Sequence, residues 1–345
     1  MKTFRVLLLT FLITSAFNLP DSFNQVSVRL NYFFKLKQVT AKQYWPGFND
    51  QLLFGPVIFY GTEGTYVVNP NKKLNTKIKY EPIENNFNRL LLGKISDKVD
   101  TSKFNMQVDY EEHDKTALYY RNPIASVSDL PLAQVFVPGI KHFEEWAGMM
   151  LHETFHQYQT SFKQFRECQN TTQEKIQRDT LIGMYKHLAW FRESVIKENQ
   201  FLLNAIATTY TDSVSLYVSY YRDFKNARQQ RVSKEINLSI AGLEDMLERS
   251  EGVGRYMEYC LKRSVQLLPV NEMLRQQEAL YIPDAYAAYN ILSDPFMNKI
   301  STQYYYTTGL NTARLLEKSH VNFQKEIYRR NLSFDYYLRI LARNR

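Results

Sequence analysis

The chain has 345 residues, 44% of them hydrophobic and 23% charged, with a net charge of +8. That balance excludes intrinsic disorder, which requires low hydrophobicity and high net charge, and the length suffices for one large domain or two small ones. The basic residues are dispersed with no run of five or more, which argues against a nucleic-acid partner.

The first residues read as a targeting segment. In "MKTFRVLLLTFLITSAF", Lys2 and Arg5 precede an apolar run from Val6 to Ile13, and Thr14-Ser15-Ala16 supplies the small residues of a cleavage site. The expectation is a signal peptide over residues 1–16 and a secreted or periplasmic, that is extracytoplasmic, mature protein. The run is too short to span a bilayer about 30 Å thick, and no other segment approaches about 18 uncharged apolar residues. No stable membrane insertion is therefore expected after signal removal. Residues 17–45 are long enough to hold a short propeptide.

Residues 17–130 form an N-terminal β-rich region in this reading. "QLLFGPVIFY" and "TYVVN" are β-type runs joined by "GTEG", a hairpin signal. "NPNKKLN" is a loop, "FNMQVDY" alternates in part, and "AQVFVPG" is a short β-type run ended by Pro138-Gly139.

Beyond Gly139 the period changes. Phe143, Trp146, Ala147 and Met150 fall at i, i+3, i+4 and i+7, and Leu151, Phe155, Tyr158 and Phe162 extend the stripe. That spacing predicts a long helix with a wide apolar face. Further helices are expected over 172–191, 193–230, 233–249, 251–268, 300–320 and 321–343, and no Pro occurs from 139 to 268. The fold class is then α+β and helix-dominated, with residues 131–345 as the helical catalytic region.

The long helix carries "MMLHETFHQYQ", residues 149–159. Residues four apart share a helix face, so His152 and His156 can aim two imidazoles at one point. Imidazole is a good zinc ligand. Glu153 stands about 100° further round the helix, beside a metal rather than on it, where a carboxylate can take and return a proton. Two unpaired imidazoles in this apolar context (Met149, Met150, Leu151, Phe155) would be costly, which favours the zinc site over two incidental histidines.

Catalytic zinc needs a third protein ligand. A metzincin would place Gly at 159 and His at 162; Gln159 and Phe162 exclude that family. His142 lies nearly three turns, about 15 Å, from His152, and His113, His187 and His320 have no motif around them. The better candidate is Glu251 in "LERSEGVGRYMEYC", where Gly252 and Gly254 would let a second helix approach closely. The plain alternative is that Gly252 caps a helix ending at Glu251. Glu258, two turns on, is the runner-up ligand, or a hydrogen-bonding partner of a histidine.

"HETFH" followed by "EGVGRYMEY" resembles the gluzincin zinc metallopeptidases, whose ligands are the two His of HExxH and a downstream Glu. The resemblance covers His152, Glu153, His156 and Glu251 and the zincin-like arrangement of about residues 130–320. It implies a secreted zinc-dependent hydrolase cleaving peptide bonds in a peptide or protein substrate, with Zn2+ on His152, His156 and Glu251 and Glu153 as general base. "AQVFVPG" would correspond to the edge strand lining a zincin's cleft. Similar families steady the oxyanion with a Tyr or Arg, for which Tyr306 and Arg255 are the candidates. The interval of 95 positions between His156 and Glu251 leaves room for an inserted pair of helices. The alternative function is a catalytically inactive zincin-like scaffold that binds a partner through an aromatic cleft. The two cysteines, Cys168 and Cys260, permit one disulfide in a secreted chain.

Overall fold

The computed structural model describes residues 21–49, 55–62, 64–69, 80–83, 92–95, 107–109, 124–137 and 139–343. The expected signal peptide, residues 1–16, lies outside the described residues.

The first element is not a strand but a helix of 24 residues, α1 (Asp21–Tyr44). It is a working part of the core: Leu30, Phe33, Leu36 and Ala41 are fully buried or nearly so. Arg29 anchors it, pairing with Asp129 at 2.5 Å and Glu278 at 2.9 Å. Trp45, just past α1, packs on Phe155, Phe323 and Tyr328. A segment this buried could not be removed as a propeptide without exposing the core.

The hairpin reading holds. Strands β1 (Val57–Gly61) and β2 (Gly64–Val68) pair antiparallel across the "GTEG" turn. With β3 (Tyr80–Ile83), β4 (Leu92–Ile95), β5 (Gln107–Asp109) and β6 (Ile124–Ser128) they form a six-stranded sheet of order β3-β4-β2-β1-β6-β5. Among the described strands only β1 and β6 run parallel, with Phe59 opposite Val127.

The "AQVF" of "AQVFVPG" is helical, which corrects the expected edge strand. Helix α2 (Leu130–Phe136) starts at Asp129, whose side chain accepts from the Leu130 N–H, and carries Pro131 in its first turn. Those two residues are a helix-start signal. Leu130 and Ala133 face inward while Val135 is 72% exposed, a helical rather than alternating pattern.

Helix α3 (Phe143–Thr160) is the predicted long helix, and Phe143, Trp146, Ala147, Met150, Leu151 and Phe155 are all wholly buried. His142 is its N-cap position. The expected helix over 172–191 is two, α4 (Lys163–Lys175) and α5 (Arg178–His187). The expected single helix over 193–230 is a hairpin of α6 (Ala189–Ala207) and α7 (Thr211–Ile236), broken at "TTY". Asn237 takes φ 53° and ends α7, the left-handed position Asn tolerates better than most residues.

Next comes α8 (Ala241–Leu247), then a π-helical turn (Glu248–Gly252), then α9 (Val253–Ser264). Gly252 is therefore inside a continuous helical run and caps nothing, which corrects the capping alternative. The reason is a crossing: a Cβ on Gly252 would fall 2.5 Å from the Gly309 Cα. The remaining helices are α10 (Glu272–Gln277), α11 (Pro295–Asn298), α12 (Tyr305–Lys318) and α13 (Phe334–Arg343). The last is shorter than the predicted 321–343, because His320 and Asn331 both adopt positive φ in the turn before it. The architecture is thus α+β and helix-dominated, with one small mixed sheet. No helix among the described residues is long and apolar enough to cross a membrane.

Cys168 and Cys260 are both free, which corrects the disulfide. Cys168 lies 3.8 Å from an Arg249 guanidinium nitrogen, and Cys260 is fully buried in α9. Tertiary packing sends the two thiols to different neighbours.

Candidate metal centre

Two helices build the site. From α3 come His152, Glu153 and His156, whose donor atoms lie within 4.8 Å of one another and could hold a metal ion. From the π-turn comes Glu251. Its Oε2 stands 3.4 Å from His152 Nε2 and 3.3 Å from His156 Nε2, while the two Nε2 atoms are 2.9 Å apart. A π-turn adds one residue to a helical turn, so it rotates Glu251 to a face that an uninterrupted α-helix would not present.

The close approach has a cause in the sequence. A Cβ on Gly254 would fall 2.7 Å from Cε1 and Nε2 of His152, so only glycine lets α9 lie this near the imidazole. Gly252 does the same against Gly309 of α12. Both glycines of "EGVG" therefore serve contacts with other helices.

Glu258 takes the outer role. Its Oε1 accepts a hydrogen bond from His152 Nδ1 at 2.6 Å. That fixes the proton on Nδ1 and leaves the His152 Nε2 lone pair facing Glu251 and His156. Gln159 Oε1, on the other side, accepts from His156 Nδ1 at 2.8 Å. The two imidazoles therefore direct lone pairs toward one another and toward a carboxylate. That donor set calls for a shared cation, a metal ion or a proton.

With a proton as that cation, the charges respond as expected. Burial opposes a charge on His152, but hydrogen bonds to Glu251 and Glu258 and the charges of Glu258 and Glu153 outweigh it and push the imidazole up to about 10. Burial also works against the Glu251 carboxylate, yet His156, His152 and Arg178 hold it well below the usual range. Glu258 is lowered in the same way, burial being outweighed by His152. For Glu153 burial wins. Burial raises it to about 7, against the pull of His156 and His152.

The two oxyanion candidates part company. Tyr306 faces the site: its ring lies 6.1 Å from the His152 ring, and burial together with the charge and hydrogen bond of Glu251 raises its hydroxyl. Arg255 lies behind it, with its guanidinium 5.7 Å from the centre of the Tyr306 ring. Its guanidinium donates to the Phe296 carbonyl and lies 3.7 Å from the centre of the Phe296 ring.

Three residues were not legible as site residues in the sequence. Arg178, at the start of α5, donates to Glu251 Oε1, the oxygen turned away from the histidines. Gln159 bonds His156, and Tyr328 bonds Gln159 at 2.7 Å. Gln159 alone left a signal, since it follows His156 by three positions on the same helix face. Arg178 and Tyr328 lie 73 and 79 residues from their partners Glu251 and Arg249.

No family model matches this chain, and neither a curated protein nor a solved structure does. The reading of the site rests on its own geometry.

Proposed function

We propose that this protein is a zincin-like zinc hydrolase, a metallopeptidase in which His152, His156 and Glu251 hold Zn2+. The observation that carries the reading is the triangle of Nε2, Nε2 and Oε2 atoms with edges of 2.9, 3.4 and 3.3 Å. Tetrahedral zinc with bonds of about 2.0–2.1 Å sets its ligand atoms roughly 3.3 Å apart. Each imidazole also has its Nδ1–H occupied, by Glu258 or Gln159, as metal-bound histidines require. Glu258, bonded to His152 at Nδ1, fits the outer role better than the ligand role.

Zinc bound there supplies a Lewis acid for a carbonyl oxygen and a lowered pKa for water. The rest falls to the chain. Glu153, next to His152 in the chain, would accept a proton from the attacking water and return it to the departing amine. Tyr306, beside Glu251, is placed to donate to a developing oxyanion. Arg178 holds the Glu251 carboxylate through Oε1, and the single Tyr306 O–H, which bonds Glu251 without substrate, would turn from that carboxylate to the oxyanion.

A cavity of about 270 Å³ runs along the same face of α3, lined by Ile140, Glu145, Met149, Glu258 and Phe296 among others. Met149 is one turn before Glu153, so a peptide lying along α3 would pass from this cavity to the metal centre. Its apolar wall suits a peptide side chain.

Metal analysis tests the reading. Wild type purified without chelator should carry one zinc per chain, Glu251→Ala should lose it, and Glu258→Ala should keep it with weaker affinity. A zinc-free wild type would sink the proposal, and loss of zinc only in Glu258→Ala would exchange the two glutamates' roles. Zinc without turnover on a broad peptide library would favour the inactive binding scaffold instead.

A further inference from the structure

Gln159 is completely buried, and each of its polar atoms has a partner. Its Nε2 lies 3.1 Å from the Arg249 carbonyl oxygen and 3.1 Å from that of Ser250. Carbonyl oxygens can only accept, so this end of the amide must be the NH2 group. The opposite end is then Oε1, an acceptor, and it faces His156 Nδ1 at 2.8 Å. His156 Nδ1 must therefore carry the hydrogen, and the lone pair of the neutral ring sits on Nε2, toward Glu251.

The two carbonyls belong to residues directly before Glu251, inside the π-turn. Tyr328, 1% exposed, completes the arrangement: its hydroxyl accepts from Gln159 Nε2 at 2.7 Å and donates to the Arg249 carbonyl at 2.8 Å. One amide thus grips a histidine of α3 with one end and the backbone that displays Glu251 with the other. The two roles need an acceptor and a donor on one side chain. A carboxylate would accept from His156 but repel the carbonyls, and an apolar chain would do neither.

We propose that Gln159 is a positioning residue that clamps α3 to the π-turn, setting the tautomer of His156 and the placement of Glu251 together. The proposal rests on the metal-centre reading above. A purely structural Gln159 would affect only stability, so the test reads the site itself.

Zinc affinity is measured by chelator competition, and the histidine ring nitrogens are followed by 15N NMR in the zinc-free protein, for wild type, Gln159→Met and Tyr328→Phe. Circular dichroism verifies folding. Gln159→Met should weaken zinc by about 10–100-fold, the range for lost partners of metal-bound histidines, and should abolish the fixed Nδ1–H form of His156. A folded Gln159→Met with unchanged affinity and unchanged ring signals overturns the clamp and leaves the zinc reading standing. If wild type shows the Nδ1–H form, Gln159→Met loses it, and neither binds zinc, the clamp stands and the zinc reading fails. Should Gln159→Met not fold, Tyr328→Phe decides: about threefold or more weakening supports the clamp, and unaltered zinc affinity overturns it.

Discussion

The Gly254 backbone and the His152 imidazole approach so closely that a methyl group on Gly254 would lie 2.7 Å from the ring nitrogen Nε2. The neighbour is a ring held at Nδ1 by Glu258, not the free end of a flexible chain. Gly254→Ala should therefore displace His152 or push α9 from α3. The expected cost is about 1–3 kcal/mol of stability, as for overpacked cores, with a clear loss of zinc affinity. Denaturant titration and chelator competition check both. An alanine variant with wild-type zinc affinity would show that the approach does not matter to the site.

Glu153 separates binding from chemistry. Its carboxylate lies within 4.8 Å of the ring nitrogens of the two histidines, and the proposed reading assigns it the proton rather than the metal. Glu153→Gln should keep zinc and reduce kcat by about 10²–10⁴-fold, the usual worth of a general base. Steady-state kinetics on a cleaved peptide, beside metal analysis, tests this. Full turnover in the variant would remove the proposed mechanism.

Zinc affinity should depend on pH through the same groups. In the metal-free protein His152 holds a proton up to about 10, which zinc must displace. Apparent affinity should rise with pH through the neutral and alkaline range. The stability contribution of this proton has the opposite trend. A histidine raised on folding stabilises fully below its unfolded value near 6.5 and ceases to do so as pH rises through about 10. Metal-free wild type should thus lose urea resistance between those limits, and His152→Gln should flatten that slope.

Glu144 offers a second pH test away from the metal. It is wholly buried, neither carboxylate oxygen has a hydrogen-bond partner, and burial raises it to about 8. A raised carboxyl stabilises fully below its unfolded value near 4.5 and that contribution disappears as pH rises through 8. Glu144→Gln should match wild type at pH 4 and exceed its melting temperature at pH 9. Equal melting temperatures at pH 9 would contradict the burial argument.

Arg228 holds the helical half together. It pairs with Glu198 at 2.7 Å and Glu244 at 2.6 Å, with all three side chains at most 2% exposed. Arg228→Met would take the main cation from two buried carboxylates, leaving Glu244 with Gln229 and Tyr304 and Glu198 with Ser194. A loss of about 3–5 kcal/mol is expected, since breaking a buried pair costs more than the pair contributes. Chemical denaturation measures it, and a change below about 1 kcal/mol would point to water entering the network.

Local patterns in the chain carried much of this protein. Helix α3 follows from the spacing of Phe143, Trp146, Met150 and Leu151, and the hairpin β1–β2 from its two β-type runs around "GTEG". The pairing of His152 with His156, and Glu153 beside them, needs only the period of a helix, because residues four apart share a face. "EGVG" marks a close helix approach by its two glycines alone. Where local signals competed, the sequence misled: the β-branched residues of "AQVFVPG" looked like a strand, although Asp129 and Pro131 start a helix there.

Long-range packing decided the rest. The meeting of Glu251 with the histidines, the choice of Glu258 as the partner of His152 Nδ1, and the freedom of both thiols all join residues roughly 90–110 positions apart. Such distances in the chain leave no periodic trace, since nothing in the spacing of residues records which helix crosses which. Arg178 and Tyr328 are ordinary residues until α5 and the turn before α13 bring them to the π-turn. Helix geometry set half of the site in the sequence, and the crossing of α3 with the α8–α9 run set the other half.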